Sequence, residues 1–332
     1  MIERYLLENA EEYRQLSGLR EEGWNNPAGD TFFQKQRHAA DNANEKLSQI
    51  FYNTMKEIGW EMHKTTGGAL AISKQPSDSP QILDMCCAPG GFLATSMDVN
   101  PGVQVLGFSL PVSQGGYKIR VPEQLRLSIK FLDVTMLAAD MGVTDIAEGH
   151  ADAAKFLPRQ FETGQLFDLV MCDGQVFRPN VHQRAAYREK REARRLTVTQ
   201  LALGLEHLNP GGTFIILLHK VEAPDTMILL HTFSKFSSIQ LFKPVKHHSK
   251  RSSFYMVATN VQSQHPDAIQ AVKTWKEKWK TATFGTDEEN EGDLRAGLVE
   301  AEKVLGEFGP ELVAMSRKVW VTQADALRRA SF

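Results

Sequence analysis

The sequence predicts an α/β protein built on an open, doubly wound sheet of seven mostly parallel strands, with helical segments at both ends. Three observations predict it. From Gln81 to about Asn260, short apolar runs alternate with helical or loop segments. Several of those runs are apolar throughout, as strands covered on both faces must be. The first run also leads through a turn of small residues and glycines into a helix, and open parallel sheets bind ligands at such a place.

Residues 1–79 read as a helical N-terminal extension. Ala39, Ala43, Leu47, Ile50, Phe51, Met55 and Ile58 trace one helical face, with Gly59 as its stop. Thr65 to Gly68, and then Lys74 to Pro80, read as loop. The seven expected strands are Ile82–Met85, Val105–Phe108, Leu127–Phe131, Phe167–Cys172, Phe214–Leu218, Ile239–Phe242 and Phe254–Ala258. The last is placed to run antiparallel. Residues 80–260 therefore form the expected catalytic domain. Residues 261–332 read as a second helical extension. Pro266 suits a first helical turn, and Ile269, Val272, Trp275 and Trp279 follow at helical spacing, the two tryptophans as core. Asp287 to Glu291 reads as an acidic loop, followed by two helices broken at Gly309-Pro310. Both extensions are expected to pack on the central sheet.

Composition narrows the class. Of 332 residues, 42% are hydrophobic and 23% charged, as in ordinary globular chains. The net charge of -2 excludes a global basic field, so an anionic partner needs a local patch. Cys86 and Cys87 are adjacent and Cys172 is far off, which gives neither a disulfide framework nor a zinc-ligand spacing; no metal is expected. A reducing, intracellular setting, cytoplasm or nucleus, fits best. The N-terminus lacks a signal-peptide core, and no stretch approaches the roughly 18 apolar residues of a membrane span.

The segment Asp84-Met85-Cys86-Cys87-Ala88-Pro89-Gly90-Gly91-Phe92 carries the chemistry. It reads strand, tight turn, helix. Glycines let a ligand approach the backbone, and the helix offers free N–H groups to an anion. Packing alone would also explain such a turn. The A-P-G-G-aromatic string resembles the first motif of the FtsJ-like ribose 2′-O-methyltransferases, usually D-L-x-A-A-P-G-G and an aromatic. Phe167 to Gly174 resembles that family's fourth motif, where an Asp ends a buried strand. Asn209-Pro210-Gly211-Gly212 resembles the turn before its next strand, and Lys250 to Ala258 its last strand. The likeness covers about residues 37–260 and leaves both helical ends outside.

The resemblance implies a Rossmann-like methyltransferase fold and S-adenosylmethionine as cofactor. Asp84, Cys86, Cys87, Ala88, Pro89, Gly90, Gly91 and Phe92 would line its methionine end and ribose. Ser109 stands where the family usually has an acid, and Asp133 matches the acid that meets the adenine amino group; Asp173 would lie near the transferred methyl. The family surrounds the acceptor hydroxyl with a Lys-Asp-Lys-Glu set. Lys46, in Ala43 to Ile50, matches the first Lys, with Lys35 as competitor; Asp173 matches the Asp. Counting from Gly211-Gly212, Leu217 holds the second Lys position, so Lys220 serves only if the strand bends or bulges. His219 is the alternative base. Ser253 replaces the Glu. A desolvated Lys near other cations can act as base.

Two basic segments, 182–195 and 243–251, could flank the acceptor crevice and meet RNA phosphates, with Phe177 or Tyr187 stacking on bases. Alternatively Arg188, Arg191 and Arg195 form a solvated helix face paired with Glu189 and Glu192. The expected function is methyl transfer from S-adenosylmethionine to an RNA ribose 2′-hydroxyl. A small-molecule or protein acceptor, and a non-catalytic cofactor-binding homologue, stay open beside it. The sequence names no protein partner.

Overall fold

The computed structural model describes residues 1–41, 44–73, 79–123, 125–176 and 185–330. The strands are β1 (Gln81–Asp84), β2 (Gln104–Ser109), β3 (Leu127–Phe131), β4 (Phe167–Cys172), β5 (Leu208–His219), β6 (Ser238–Phe242) and β7 (Ser253–Val261). They form one sheet in the order β3-β2-β1-β4-β5-β7-β6. The β3-β2-β1-β4-β5 pairs are all parallel. β7 runs antiparallel between β5 and β6, as expected. Because β1 is flanked by β2 on one side and β4 on the other, the strand order reverses there. A crevice opens beyond the carboxyl ends of strands at such a switch point.

The helices are α1 (Ile2–Asn9), α2 (Glu11–Trp24), α3 (Pro27–Asp41), α4 (Glu45–Thr65), α5 (Gly91–Val99), α6 (Glu192–Glu206), α7 (Pro224–Ser234), α8 (Pro266–Phe284) and α9 (Asp287–Arg328). Side-chain alternation along the strands sorts them into two layers. Ile82, Val105, Leu169, Met171, Ile215, Tyr255 and Val257 pack with Ile58 of α4 and Leu93 of α5. Leu83, Leu106, Val170, Cys172, Phe214 and Ile216 pack on the other face, with residues of α6 to α9 and of α1 and α2. No described helix is long and apolar enough to cross a membrane.

Five sequence expectations are corrected. Gly59 does not stop α4, which runs to Thr65. A Cβ at Gly59 would lie 3.0 Å from Thr95 Oγ1, so the glycine serves close packing of α4 on α5. The helical face read from Ala39 to Ile58 belongs to two helices, α4 starting afresh where the Asn44 side chain accepts from Leu47 N; Ile50 is exposed, and Ala43 lies outside the described residues. Asp287 to Glu291 is no loop: it is the first turn of α9, capped reciprocally by Thr286 and Glu289, where acidic side chains suit the helix dipole. Nor does Gly309-Pro310 break α9. Buried Phe308, Leu312 and Val313 flank it, a Cβ at Gly309 would meet the Tyr5 ring of α1, and such packing outweighs local propensity. Asn209 to Gly212, expected as a turn, is the irregular start of β5, where pairing to β4 and β7 shifts register. Trp275 and Trp279 are buried as read.

Candidate active site

The turn from β1 into α5 is held by the protein's own backbone. Cys87 N donates to Phe108 O of β2 at 2.9 Å, and Arg120 N donates to Pro89 O at 3.0 Å. The Ala88–Pro89 bond is cis. Gly90 caps α5 with φ +103°, and a Cβ there would meet Val121 Cγ2 at 2.5 Å. A Cβ on Gly91 would lie 2.3 Å from Tyr52 O of α4. Both glycines are therefore required by internal packing. Cys87, Pro89 and Phe92 are buried as well, Phe92 edge-on against Tyr255 at 5.4 Å. Cys86 and Ala88 are the half-buried members of the turn.

Three carboxylates act on the Cys86 thiol through their charge. That thiol is pushed up first by burial, then by Asp84, Asp173 and Asp133. Asp84 ends β1, buried, and its Oδ1 accepts from Cys86 N at 3.2 Å. Burial raises it to about 7, the Cys86 N–H opposing. Asp173 follows β4, which pairs with β1 so that Asp84 aligns with Met171. It is half-buried and accepts from Tyr255 OH at 3.2 Å. Burial first, and Asp84 second, raise it to about 8, with only the Tyr255 bond acting the other way. Among the described residues, no lysine or arginine offsets either carboxylate.

Asp133 is different. Its Oδ1 accepts from Thr135 N at 2.9 Å and Thr135 Oγ1 at 2.7 Å, and its Oδ2 from Arg188 Nη2 at 2.7 Å. Burial opposes ionisation, yet the Arg188 charge and these bonds hold the carboxyl below its ordinary range. Arg188 is itself 4% exposed and bonded to Glu192. Glu192 also takes Arg195 Nη1 at 2.8 Å, and Arg195 reaches Thr135 O at 2.9 Å and Thr283 Oγ1 of α8 at 3.0 Å.

Among the described residues, none of the other proposed residues hydrogen-bonds or ion-pairs with Asp173. Ser109 is buried at the end of β2, its hydroxyl 3.3 Å from Leu110 O. Lys46 is exposed in the first turn of α4 and makes no ion pair among the described residues. Lys35 lies exposed on α3. β5 does turn after His219, for Lys220 has φ +51°, but Lys220 is exposed and its backbone N donates to Ser252 O. Leu217 and His219 share a strand face and pair with Tyr255 and Ser253 respectively. His219 is shifted down by burial first, then by Lys243 and Arg251. Ser253 is buried, and its carbonyl accepts from Lys243 Nζ at 2.6 Å. Lys243 also donates to His248 O and Arg251 O, and burial brings it down to about 7.

The basic segments are largely matched internally. Arg188 and Arg195 are buried, which corrects both the phosphate-contact and the solvated-face readings for them. Arg191 pairs with Asp287, and Arg194 with Asp293 at 2.9 Å. Lys246 and His247 both meet Glu57, and Lys250 lies over the Phe32 ring at 4.8 Å. Tyr187 donates to Asp152 at 2.9 Å; Phe177 and 182–184 lie outside the described residues. Sequence reasoning missed Tyr255, Lys243 and the Arg188-Glu192-Arg195 cluster as site builders. The i, i+4 and i, i+3 spacing of that cluster was the available signal.

S-adenosylmethionine carries a sulfonium and an ammonium group, and its fit rests on charge. A buried and a half-buried carboxylate with no cation beside them among the described residues are costly, and a cationic ligand in the crevice relieves that cost. Asp133, already neutralised, suits the uncharged adenine end. The profile of FtsJ-like methyltransferases matches residues 64–261. No curated protein sequence matches the chain. Among solved structures, a Plasmodium falciparum protein described as a ribosomal RNA methyltransferase shares 16% identity at TM-score 0.38, over 61% of this chain and 96% of its own. The N-methyltransferase NodS of Bradyrhizobium japonicum shares 14% at 0.38, over 63% and 98%. Human methyltransferase-like protein 13, solved with SAH, shares 13% at 0.33, over 69% and 92%. All three likenesses are distant and none bears on the reaction. The sheet, five parallel strands extended by an antiparallel β7 and edge β6, is a Rossmann-like methyltransferase fold. With the profile spanning more than half of the sequence and its first motif seated at the switch point, the chain belongs to the FtsJ-like methyltransferase family.

Proposed function

We propose that the protein transfers a methyl group from S-adenosylmethionine to a ribose 2′-hydroxyl of RNA. One observation carries the donor half: at the carboxyl ends of β1 and β4, Asp84 and Asp173 have no offsetting cation among the described residues, in a chain of this family. The donor supplies an activated methyl on a positively charged sulfur. Asp84 and Asp173 balance that positive charge. Asp133 accepts from the adenine amino group. Tyr255 holds Asp173 by its hydroxyl, and in this reading Asp173 takes a hydrogen bond, or a proton, from the acceptor hydroxyl. Lys46 and Lys220, exposed and in no ion pair among the described residues, are cations available to RNA phosphates.

Two observations favour other readings. No lysine stands beside Asp173 among the described residues, which suits a cofactor-binding protein without turnover. The basic segments spend most of their charge internally, which suits an acceptor other than RNA. The deciding experiment incubates the protein with methyl-tritiated S-adenosylmethionine and transcribed RNA, then hydrolyses in alkali. A 2′-O-methyl blocks cleavage, so label in alkali-resistant dinucleotides, lost in Asp173→Ala, supports the proposal. Label in mononucleotides, or none while calorimetry shows donor binding, overturns it.

A further inference from the structure

The acid at the end of β3 has an unusual custodian. Arg188 arrives from the turn preceding α6, a segment whose arginines the sequence offers to solvent or phosphate, and it is buried against Asp133. We infer that Arg188 is a specificity-setting positioning residue: through Asp133 it makes the cofactor site select the 6-amino group of adenine. The inference rests on the donor reading above and extends it to a residue that does not touch the donor.

The geometry runs as a chain of fixed contacts. A carboxylate offers about four acceptor positions. Thr135 N and Oγ1 occupy two on Oδ1, and Arg188 Nη2 takes one on Oδ2. Among the described residues, one acceptor position on Oδ2 is left. Arg188 cannot swing aside, because Nε is held by Glu192 Oε2 at 2.9 Å and Nη2 also reaches Thr135 Oγ1 at 3.1 Å. Glu192 is pinned by Arg195, and Trp279 Nε1 of α8 joins Arg195 on Thr135 O. Asp133, Arg188, Glu192 and Arg195 sum to zero charge, so this end needs no cationic ligand. An ionised carboxylate can only accept. It therefore takes an N–H from an amino group and is repelled by the carbonyl that replaces it in a deaminated base. Without the guanidinium, burial favours the protonated acid, whose O–H can donate to that carbonyl, and the discrimination disappears.

The test is calorimetry of the full chain with S-adenosylhomocysteine and S-inosylhomocysteine. The unmodified protein is expected to prefer the adenosine compound by about 10- to 100-fold, the range of a hydrogen bond to a charged group. Arg188→Met is expected to bring the two affinities within about threefold of each other. Asp133→Asn gives the same collapse, and the double variant is no worse than either, because both act through one contact. If both ligands weaken in parallel in Arg188→Met with their ratio kept, Arg188 is merely structural and the inference is overturned. Should Arg188→Met fail to fold, Arg188→Lys, which keeps the charge but not the fork, and Asp133→Asn decide by the same ratio. Equal affinities in the unmodified protein overturn the inference alone; no affinity for either overturns the donor reading and the inference with it.

Discussion

The two ends of the crevice treat the same chemical group in opposite ways. At the end of β3, Asp133 is neutralised by Arg188, bonded twice by Thr135, and held below the ordinary carboxylate range. At the ends of β1 and β4, burial raises Asp84 to about 7, and burial with the Asp84 charge raises Asp173 to about 8, with no cation among the described residues to offset either. Both ends flank Cys86, so the contrast lies in partners and not in distance from the site. A closed charge account is a rigid template that recognises shape and hydrogen bonds. An open one is a demand for a positively charged ligand. A donor that is cationic at its sulfur end and neutral at its base end matches both.

Removing a carboxylate at each end should therefore give unlike results. Asp173→Asn is expected to lower kcat about 10³-fold, the scale of a lost proton acceptor at the reacting group. Asp133→Asn is expected to leave kcat nearly unchanged and raise the donor KM about tenfold, the signature of lost uniform binding. Steady-state kinetics with varied donor checks both, and matching losses in the two variants would break the comparison. Next in size is Gly91→Ala. Its Cβ would press on Tyr52 O at 2.3 Å, which α4 can relieve only by shifting. Overpacking of this kind is expected to cost about 3 kcal/mol, seen as a lower denaturation midpoint with no ligand present. An unchanged midpoint with weakened donor binding would restore the glycine to the cofactor.

That glycine shows where the sequence can be read and where it cannot. The central strands were visible because they are apolar runs covered on both faces, whereas β3 and β6, which are partly exposed, were read from their place in the strand and helix alternation, and the antiparallel β7 followed from position. Asp84 and Asp173 were legible for a local reason: each ends such a run. Gly90 and Gly91 were visible as a turn, but what demands them, Val121 and α4, comes from elsewhere in the chain. Arg188 and Arg195 looked like a surface because a helix period does not say which charged face is covered, and the α8 side chains that cover this one lie some 90 residues on. Lys220 was anticipated as a residue on a turning strand, and the turn is there at φ +51°, but among the described residues no ion pair joins its side chain to Asp173.

The smaller effects concern protons. If a cationic donor settles between Asp84 and Asp173, it favours their ionised forms and lowers both from about 7 and about 8. Binding then releases protons, and affinity is expected to rise about 100-fold from pH 6 to pH 8, with calorimetry in buffers of different ionisation enthalpy showing about one proton released near pH 7. A flat profile would mean that no positive charge enters this end.

Without a ligand, the same groups work against the fold. Asp173 holds its proton more tightly folded than unfolded, so its contribution is fully present below pH 4 and is lost as pH rises through about 8. Asparagine does not titrate. Asp173→Asn is therefore expected to match the unmodified protein in Tm at pH 5 and to exceed it by about 2–5 °C at pH 8.5, a modest figure because the carboxylate is only half-buried. Adding S-adenosylmethionine should shrink that gap, since the ligand's charge stabilises the carboxylate and finds nothing to balance in the amide. A gap that persists with the donor bound would show that the destabilising charge at Asp173 is not the one the donor meets.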